Sequence, residues 1–392
     1  MTFVSCVKPK FHGPIRIIHL VTRLPVAGLE KVVASLDQGM HSRRYISSIW
    51  CLEEADVLGR ELQAEGRNVK ELGKRCGRDL ALFFRLAVAL RSEKIDILHC
   101  HDELAWFYGA FSGWLGGVGR IICTIHGHRG YRSKRHLQEQ KLLSRFTSAI
   151  VAVSDSVRQQ VIEELRLRPE KVSVIHNGIS LEPFRYSTTR RHRSRRALGI
   201  PESAILLGSV GRLDPVKNIE VIIEASARLQ NLIPDLRVIL VGEGPSQEQL
   251  ARKVAMLGLK EKTIFLGLRN DISDLLAAVD IYICSSTTEG ISLSVLEAMA
   301  TERAVIATAV GGNLEVIQDR KTGILIKPGD PEVLAAAIIE LSLDAGERSA
   351  IGQRARREVE ANFSLQRMIK DYDKVYTSIL ESSYDKLEDH HS

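Results

Sequence analysis

The stretch AILLGSVGRLDPVKNIEVIIEASARLQNLIPDLRVILVGEG, residues 204–244, decides the fold. AILLGSVGRL is an apolar strand that ends in a glycine loop at Gly211. NIEVIIEASARLQ reads as a helix, and LRVILVGEG is a second strand. A strand, a helix and a strand in this order make a right-handed βα unit, and a run of such units makes a parallel sheet.

The pattern continues in both directions. Downstream lie SQEQLARKVAMLGL, TIFLG, DISDLLAAV, IYICSS, SLSVLEAMA, AVIATAV and TGILIKP, which alternate helix and strand. Upstream, RIIHLV, ISSIWCL, IDILHCH, RIICTIHG, AIVAVS and VSVIHNGI read as strands. GLEKVVASLDQGM and RDLALFFRLAVALRSEK read as helices, the first with Leu29, Val32, Val33 and Leu36 on one face. Two doubly wound domains follow, with no heptads or short repeats. The expected division is 1–182, a linker at 183–200, a second domain at 201–360 and a closing amphipathic helix at 361–392. The linker expectation rests on Arg185, Arg190, Arg191, Arg193, Arg195 and Arg196, a basic run of the kind found in solvated connections.

The 392 residues are 44% hydrophobic and 26% charged, the balance of a globular protein with two cores. Six single cysteines form no Cys-x-x-Cys pair, which favours reduced thiols. Lys8, Pro9 and Lys10 break the N-terminal apolar run, so no signal peptide is expected. No apolar run has the length of a membrane span. The expected location is the cytoplasm, including the inner face of its membrane. Residues 1–182 carry 27 Lys+Arg against 19 Asp+Glu, an excess of +8, whereas 183–392 carry 27 against 29. An anionic partner of the first half and a solvated surface are both open readings. Arg132, Lys134 and Arg135 are the cations expected to meet an acidic membrane.

In open α/β sheets, ligands bind beyond the carboxyl ends of the strands. Three loops of the second half fit. In SVGRLDPVKN, Gly211 lets backbone approach a ligand, while Arg212 and Lys217 suit a diphosphate. The alternative pairs them with Asp214 and Glu220 at the surface. In STTEGISLSVLEAMA (286–300), a turn leads into a helix beginning near Ser292. Its unpaired amides and dipole favour an anion, and Ser292 or Ser294 can cap it. Glu289 precedes the helix. Glu297 lies in its second turn among Val295, Leu296, Ala298 and Met299, and its side chain leans back towards the N-terminus. A carboxylate there can accept both hydrogen bonds of a diol, and its burial demands partners. In AVGGNLEVI, Gly311 and Gly312 make a tight loop.

Other features are weaker. VGEGPSQ lacks the third glycine of a dinucleotide fingerprint, which disfavours a nicotinamide enzyme. Asp371 and Asp373 stand two apart on a helix and read as surface, not as a metal site. In the first half, His126 ends a strand before Gly127, where an imidazole can meet a sugar hydroxyl or phosphate. His99 and His101 have the look of metal ligands, but without a His-x-x-x-His helix a structural role is favoured.

These residues resemble the retaining glycosyltransferases of family 4, also called glycosyl transferases group 1, which have the GT-B fold. The resemblance covers nearly the whole chain. Its most specific part is the Glu-x7-Glu element, Glu289 to Glu297. VGRLDPVKN, Asn177–Gly178, VGEGP, FLG, VGGN and the closing FSLQRM…YDKVY fall in the family's order. The resemblance implies two Rossmann-like domains facing a central cleft, with the C-terminal helix returning to the first. It implies transfer of a hexose-type sugar from a nucleotide diphosphate sugar, UDP- or GDP-linked, to a carbohydrate or lipid-linked hydroxyl, without a metal or other cofactor, in cell-surface polysaccharide or glycolipid synthesis. Glu289 would hold hydroxyls of the donor sugar and Glu297 the ribose. Arg212 and Lys217 would clamp the diphosphate beside Gly211, Gly290, Ile291 and the backbone of Ser292, Leu293 and Ser294. Leu268 and Arg269 would lie against the base. His126 would stand near the transferred sugar, with Ala27 and Gly28 on the acceptor side. The family has Gly-Gly at that loop, and Ala27 enters positive φ less freely. It often has Pro or Gly at Ser292. The runner-up enzyme is a sugar-nucleotide epimerase of the same architecture. From another class, a nucleic-acid or anionic-surface binder would use residues 128–145 and 185–196, although few aromatics interleave with those arginines.

Overall fold

The computed structural model describes residues 13–42, 44–127 and 133–388. Arg132 and the N-terminal stretch with Lys8, Pro9 and Lys10 lie outside the described residues. The chain forms two compact units, residues 1–176 with 365–392, and residues 177–364.

The first unit contains strands β1 (Ile15–Val21), β2 (Tyr45–Cys51), β3 (Val69–Glu71), β4 (Ile97–Cys100), β5 (Ile121–Ile125), β6 (Ala149–Ala152) and β7 (Val172–Val174). They pair in the order β3-β2-β1-β4-β5-β6-β7, and every pair is parallel. Its helices are α1 (Gly28–Met40), α2 (Asp56–Ala64), α3 (Leu80–Ser92), α4 (Glu103–Leu115), α5 (Lys134–Phe146) and α6 (Asp155–Leu165). The second unit contains α7 (Thr188–Ala197), β8 (Ile205–Val210), α8 (Ile219–Leu229), β9 (Leu236–Val241), α9 (Gln247–Met256), β10 (Thr263–Gly267), α10 (Ile272–Ala278), β11 (Ile281–Cys284), α11 (Leu293–Ala300), β12 (Ala304–Thr308), α12 (Asn313–Val316), β13 (Ile324–Ile326), α13 (Pro331–Leu343) and α14 (Ala345–Asn362). Its sheet runs β10-β9-β8-β11-β12-β13, again parallel. The last helix, α15 (Leu365–Glu388), belongs to the first unit.

Central strands such as β5 and β12 are buried at every position, because helices cover both faces of the sheet. That is why they read as unbroken apolar runs. Strand order reverses between β1 and β4 and between β8 and β11. A doubly wound sheet opens a crevice at such a switch point.

The linker expectation is corrected. Residues 183–200 contain α7, which is part of the second unit. Arg195 is fully buried and donates to Asp280 and to the carbonyls of Ala278 and Pro201. Arg191 reaches the other oxygen of Asp280 at 2.7 Å, and Arg193 pairs with Asp274. Arg190, Arg191, Arg193 and Arg195 tie α7 to this unit through Asp274 and Asp280, while Arg185 and Arg196 stay exposed. The chain instead crosses between units at 176/177 and 364/365. On α15, Met368, Tyr372 and Tyr376 are buried in the first unit. Asp373 is more than surface, since it accepts from the Tyr45 hydroxyl at 2.5 Å and from Arg44 at 3.0 Å.

Candidate active site

In the second unit, β8 delivers Gly211 and β11 delivers residues 285–292 at the switch point. Two glycines hold these loops together. Gly242 has φ 121°, and a Cβ there would stand 2.1 Å from the Gly211 carbonyl oxygen. A Cβ on Gly312 would stand 1.6 Å from the Gly290 oxygen. The Gly312 amide also donates to the Glu289 carbonyl at 3.2 Å. The glycines of VGEGP and VGGN therefore allow backbone to lie on backbone beneath the site.

Lys217 and Glu289 meet directly. The ammonium donates to Oε1 at 2.5 Å, and Ser286 Oγ donates to the same oxygen at 2.6 Å. Among the described residues, the hydrogen bonds to this carboxylate converge on Oε1. The Lys217 stem lies 3.6 Å from where a Gly211 Cβ would be, an ordinary packing distance. Burial lowers the Lys217 pKa, but the facing Glu289 carboxylate, with Cys284 and Asp214 nearby, raises it further, and the net direction is up. Lys217 is a held cation. The surface alternative fails for it, because Glu220 pairs with Lys253. Around the pair, Ser285 Oγ donates to the Lys217 carbonyl at 2.8 Å and Thr308 Oγ1 to the Ser286 carbonyl at 2.6 Å. Asn313 braces Thr308 in turn.

Ser292 occupies the N-cap position of α11, but its side chain does not cap the helix. It pairs with Ser294 Oγ at 3.2 Å instead. The capping expectation is thereby corrected, and among the described residues no side chain closes the first amides of α11. Gly290, Ile291 and Ser292 are buried, and Asn177 donates to the Ile291 carbonyl at 3.2 Å. Leu293 and Ser294 are half-buried, and Glu297 is buried on α11 as its apolar setting implies. Arg212 extends into solvent, with Asp214 at 3.9 Å. Leu268 is exposed after β10, and Arg269 makes a two-pronged pair with Asp271 at 2.7 and 2.6 Å. The structure thus gathers Gly211, Lys217, Glu289 and the Gly290–Ser294 turn, while Arg212, Leu268 and Arg269 stay at the surface.

In the first unit, Ala27 is the N-cap of α1 with φ −140°, so this loop asks no positive φ of it. Gly28 opens the helix, with open space where a Cβ would stand. Glu30, two residues on, is pushed up to about 7 by burial, with Asp102 and Asp56 adding repulsion. His126 ends β5 and heads a chain of imidazoles. His126 Nε2 lies 3.1 Å from His101 Nδ1, and His101 Nε2 lies 3.0 Å from His19 Nδ1. Burial holds His19 down to about 4, His126 to about 3 and His101 well below its ordinary range. Three neutral rings carry three protons, and two junctions take two of them. The third must sit on His126 Nδ1 or His19 Nε2, both shielded and unpartnered among the described residues. The direction of the chain decides whether His126 offers a donor or an acceptor. His99 gives both nitrogens to hydroxyls, Tyr376 at 2.7 Å and Thr124 at 2.7 Å, in line with its structural reading.

Sequence reasoning missed Ser286, whose only signal is a hydroxyl three residues before Glu289. It also missed His19, which is hidden inside an apolar strand and brought beside His99 by the register of β1 on β4.

Comparison with known proteins agrees with both halves. Residues 190–358 match the family model described as glycosyl transferases group 1, and residues 26–183 match that of glycosyltransferase family 4. The chain is 26% identical over 383 residues to the UDP-Gal:alpha-D-GlcNAc-diphosphoundecaprenol alpha-1,3-galactosyltransferase of Escherichia coli, covering 93% of this chain and 96% of the relative. It is 30% identical over 306 residues to a D-inositol 3-phosphate glycosyltransferase of Corynebacterium urealyticum, covering 72% of each chain. The crystal structure of Anabaena HepE in complex with UDP and glucose superposes with a TM-score of 0.85 over 93% of this chain and all of that one, at 22% identity, which is a likeness of fold.

Proposed function

From the premise that this chain belongs to glycosyltransferase family 4, with its group 1 domain at residues 190–358, we propose that it transfers a hexose from a UDP-sugar, or failing that a GDP-sugar, to a lipid-linked or carbohydrate hydroxyl, with retention. The observation that carries this reading is the Lys217–Glu289 pair at the switch point, beside the uncapped N-terminus of α11. Lys217, Arg212 and the α11 amides stabilise the departing diphosphate. As the bond from the anomeric carbon to the phosphate oxygen breaks, the acceptor hydroxyl attacks on the same face. Its proton passes to the departing oxygen. Glu289 holds donor hydroxyls through Oε2, Glu297 holds the ribose, and Leu268 with Arg269 flanks the base. On the acceptor side, His126 Nδ1 and the Ala27–Gly28 loop are assigned to sugar and acceptor groups. The donor and undecaprenol-linked acceptor in the name of the Escherichia coli relative support a UDP-sugar and a surface-glycan role here. The epimerase and nucleic-acid readings have no comparable support.

A thermal-shift screen of UDP-, GDP- and ADP-sugars tests the reading. A ligand at a hundred times its Kd stabilises by about 2.7 kcal/mol, and a UDP-sugar is expected to raise the melting temperature accordingly. With fixed cations at the diphosphate, EDTA should leave the shift in place. A melt unmoved by all three nucleotide classes would overturn the proposal.

A further inference from the structure

The outer surface of the first unit carries an apolar face that the sugar-nucleotide chemistry does not use. Among the described residues, sixteen large hydrophobic side chains are exposed, and seven of them lie on α3, α4 and α5. Leu80, Phe84 and Val88 form an i, i+4, i+8 stripe along α3, each more than 60% exposed. Phe111, Trp114 and Leu115 continue it on α4. Rings knit the helices together: Phe83 lies 5.4 Å from Phe111, and Trp114 lies 5.6 Å from Phe146 of α5. A contiguous apolar face of this kind marks a site of association.

Beside it, α5 borders an open groove of about 780 Å³ lined by Lys141, Arg145, Arg166, Arg168 and Lys171, with Glu170 as its one acid. Lys141, Arg145, Arg166 and Arg168 have no ion-pair partner among the described residues. A second copy of this chain would set these cations against like charge. Apolar and aromatic side chains next to unpaired cations match the boundary of an anionic bilayer, where rings sit at headgroup depth and Lys and Arg meet phosphates. No described helix is long and apolar enough to cross a membrane, so the contact would be peripheral.

We propose that α3, α4 and α5, with the adjoining basic groove, form a docking face for an anionic phospholipid surface. This stands apart from the transfer reading, since vesicle binding and sugar-nucleotide binding are measured separately. The chain has three tryptophans, and Trp50 and Trp106 are buried, so Trp114 is the natural probe. The full-length protein is mixed with vesicles of phosphatidylcholine alone or with an equal part of phosphatidylglycerol. It is expected to sediment with the anionic vesicles at low salt, with a blue shift in emission that brominated lipid quenches and that Trp114→Phe removes. Phe84→Ser with Val88→Ser, and Lys141→Glu with Arg145→Glu, should each weaken partitioning at least ~10-fold. Their melting temperatures and sugar-nucleotide binding should stay as in the parent. Failure to bind anionic vesicles, or binding that neither double variant weakens, would overturn the proposal. So would a Trp114 shift that follows protein concentration without vesicles, which would assign the face to a second copy.

Discussion

Lys217→Ala and Glu289→Gln are each expected to lower sugar transfer roughly 10³-fold or more, with the fold intact. In the proposed transfer the lysine supplies a cation at the charge that develops on the departing diphosphate, and losing one such donor raises the barrier by about 3–4 kcal/mol. Its position is not adjustable. The stem lies against Gly211, the ammonium is hydrogen-bonded to Glu289, and Ser285 fastens its carbonyl. Lys217→Arg should therefore fail nearly as badly, because a planar fork does not replace a compact ammonium in this recess. Glu289→Gln keeps the shape but removes the countercharge, leaving Lys217 without the carboxylate that holds it. Transfer is measured with the donor identified by the thermal screen, and folding by the melting temperature. Parent-like transfer by both variants, properly folded, would remove this pair from the chemistry.

The second large effect is on stability in acid. His19, His99, His101 and His126 are all held below their ordinary range in the folded first unit, with burial the leading cause. Once unfolded, each binds a proton near pH 6.5. Between that value and the folded values of about 4 for His19 and 3 for His126, the unfolded chain binds more protons, so stability falls as pH falls. Four such groups give a slope approaching about 5 kcal/mol per pH unit near pH 5.5. Glu30 opposes it, since its raised value makes the folded state the better proton binder between about 4.5 and 7, and the net slope is about 4 kcal/mol per unit. Domain stabilities of about 5–15 kcal/mol are used up within a few units at that rate. All three tryptophans lie in the first unit, so their emission reports this transition without the second. The urea midpoint at pH 5.5 should fall far below that at pH 7.5. Equal midpoints would show that the histidine chain is not buried neutral.

What could be read from sequence follows the range of the interactions. Strands such as β5 and β12 announce themselves because burial on both faces makes each a local apolar run. Glu289 and Glu297 were legible because one turn and one helix place them. Arg195 was misread because its partner, Asp280, lies 85 residues on. Nothing local distinguishes an arginine that clamps a helix from one in a linker. Lys217 and Glu289 are 72 residues apart, so the pair emerges only when β8 and β11 lie side by side. The imidazole chain depends on strand pairing in the same way. Within RDLALFFRLAVALRSEK the apolar residues cover both the buried and the exposed sides of α3, and periodicity alone does not say which side faces out.

The proposed site holds a sugar nucleotide on α11 and its preceding loop, with Glu297 on the ribose. Titration calorimetry of UDP into the parent protein and Glu297→Ala tests it most directly. Each hydrogen bond to a charged acceptor contributes about 1.5–3 kcal/mol, so loss of the diol contact should weaken binding at least ~10-fold. Equal affinity of the two proteins for UDP would take Glu297 off the ribose and leave α11 without a nucleotide contact from its side chain.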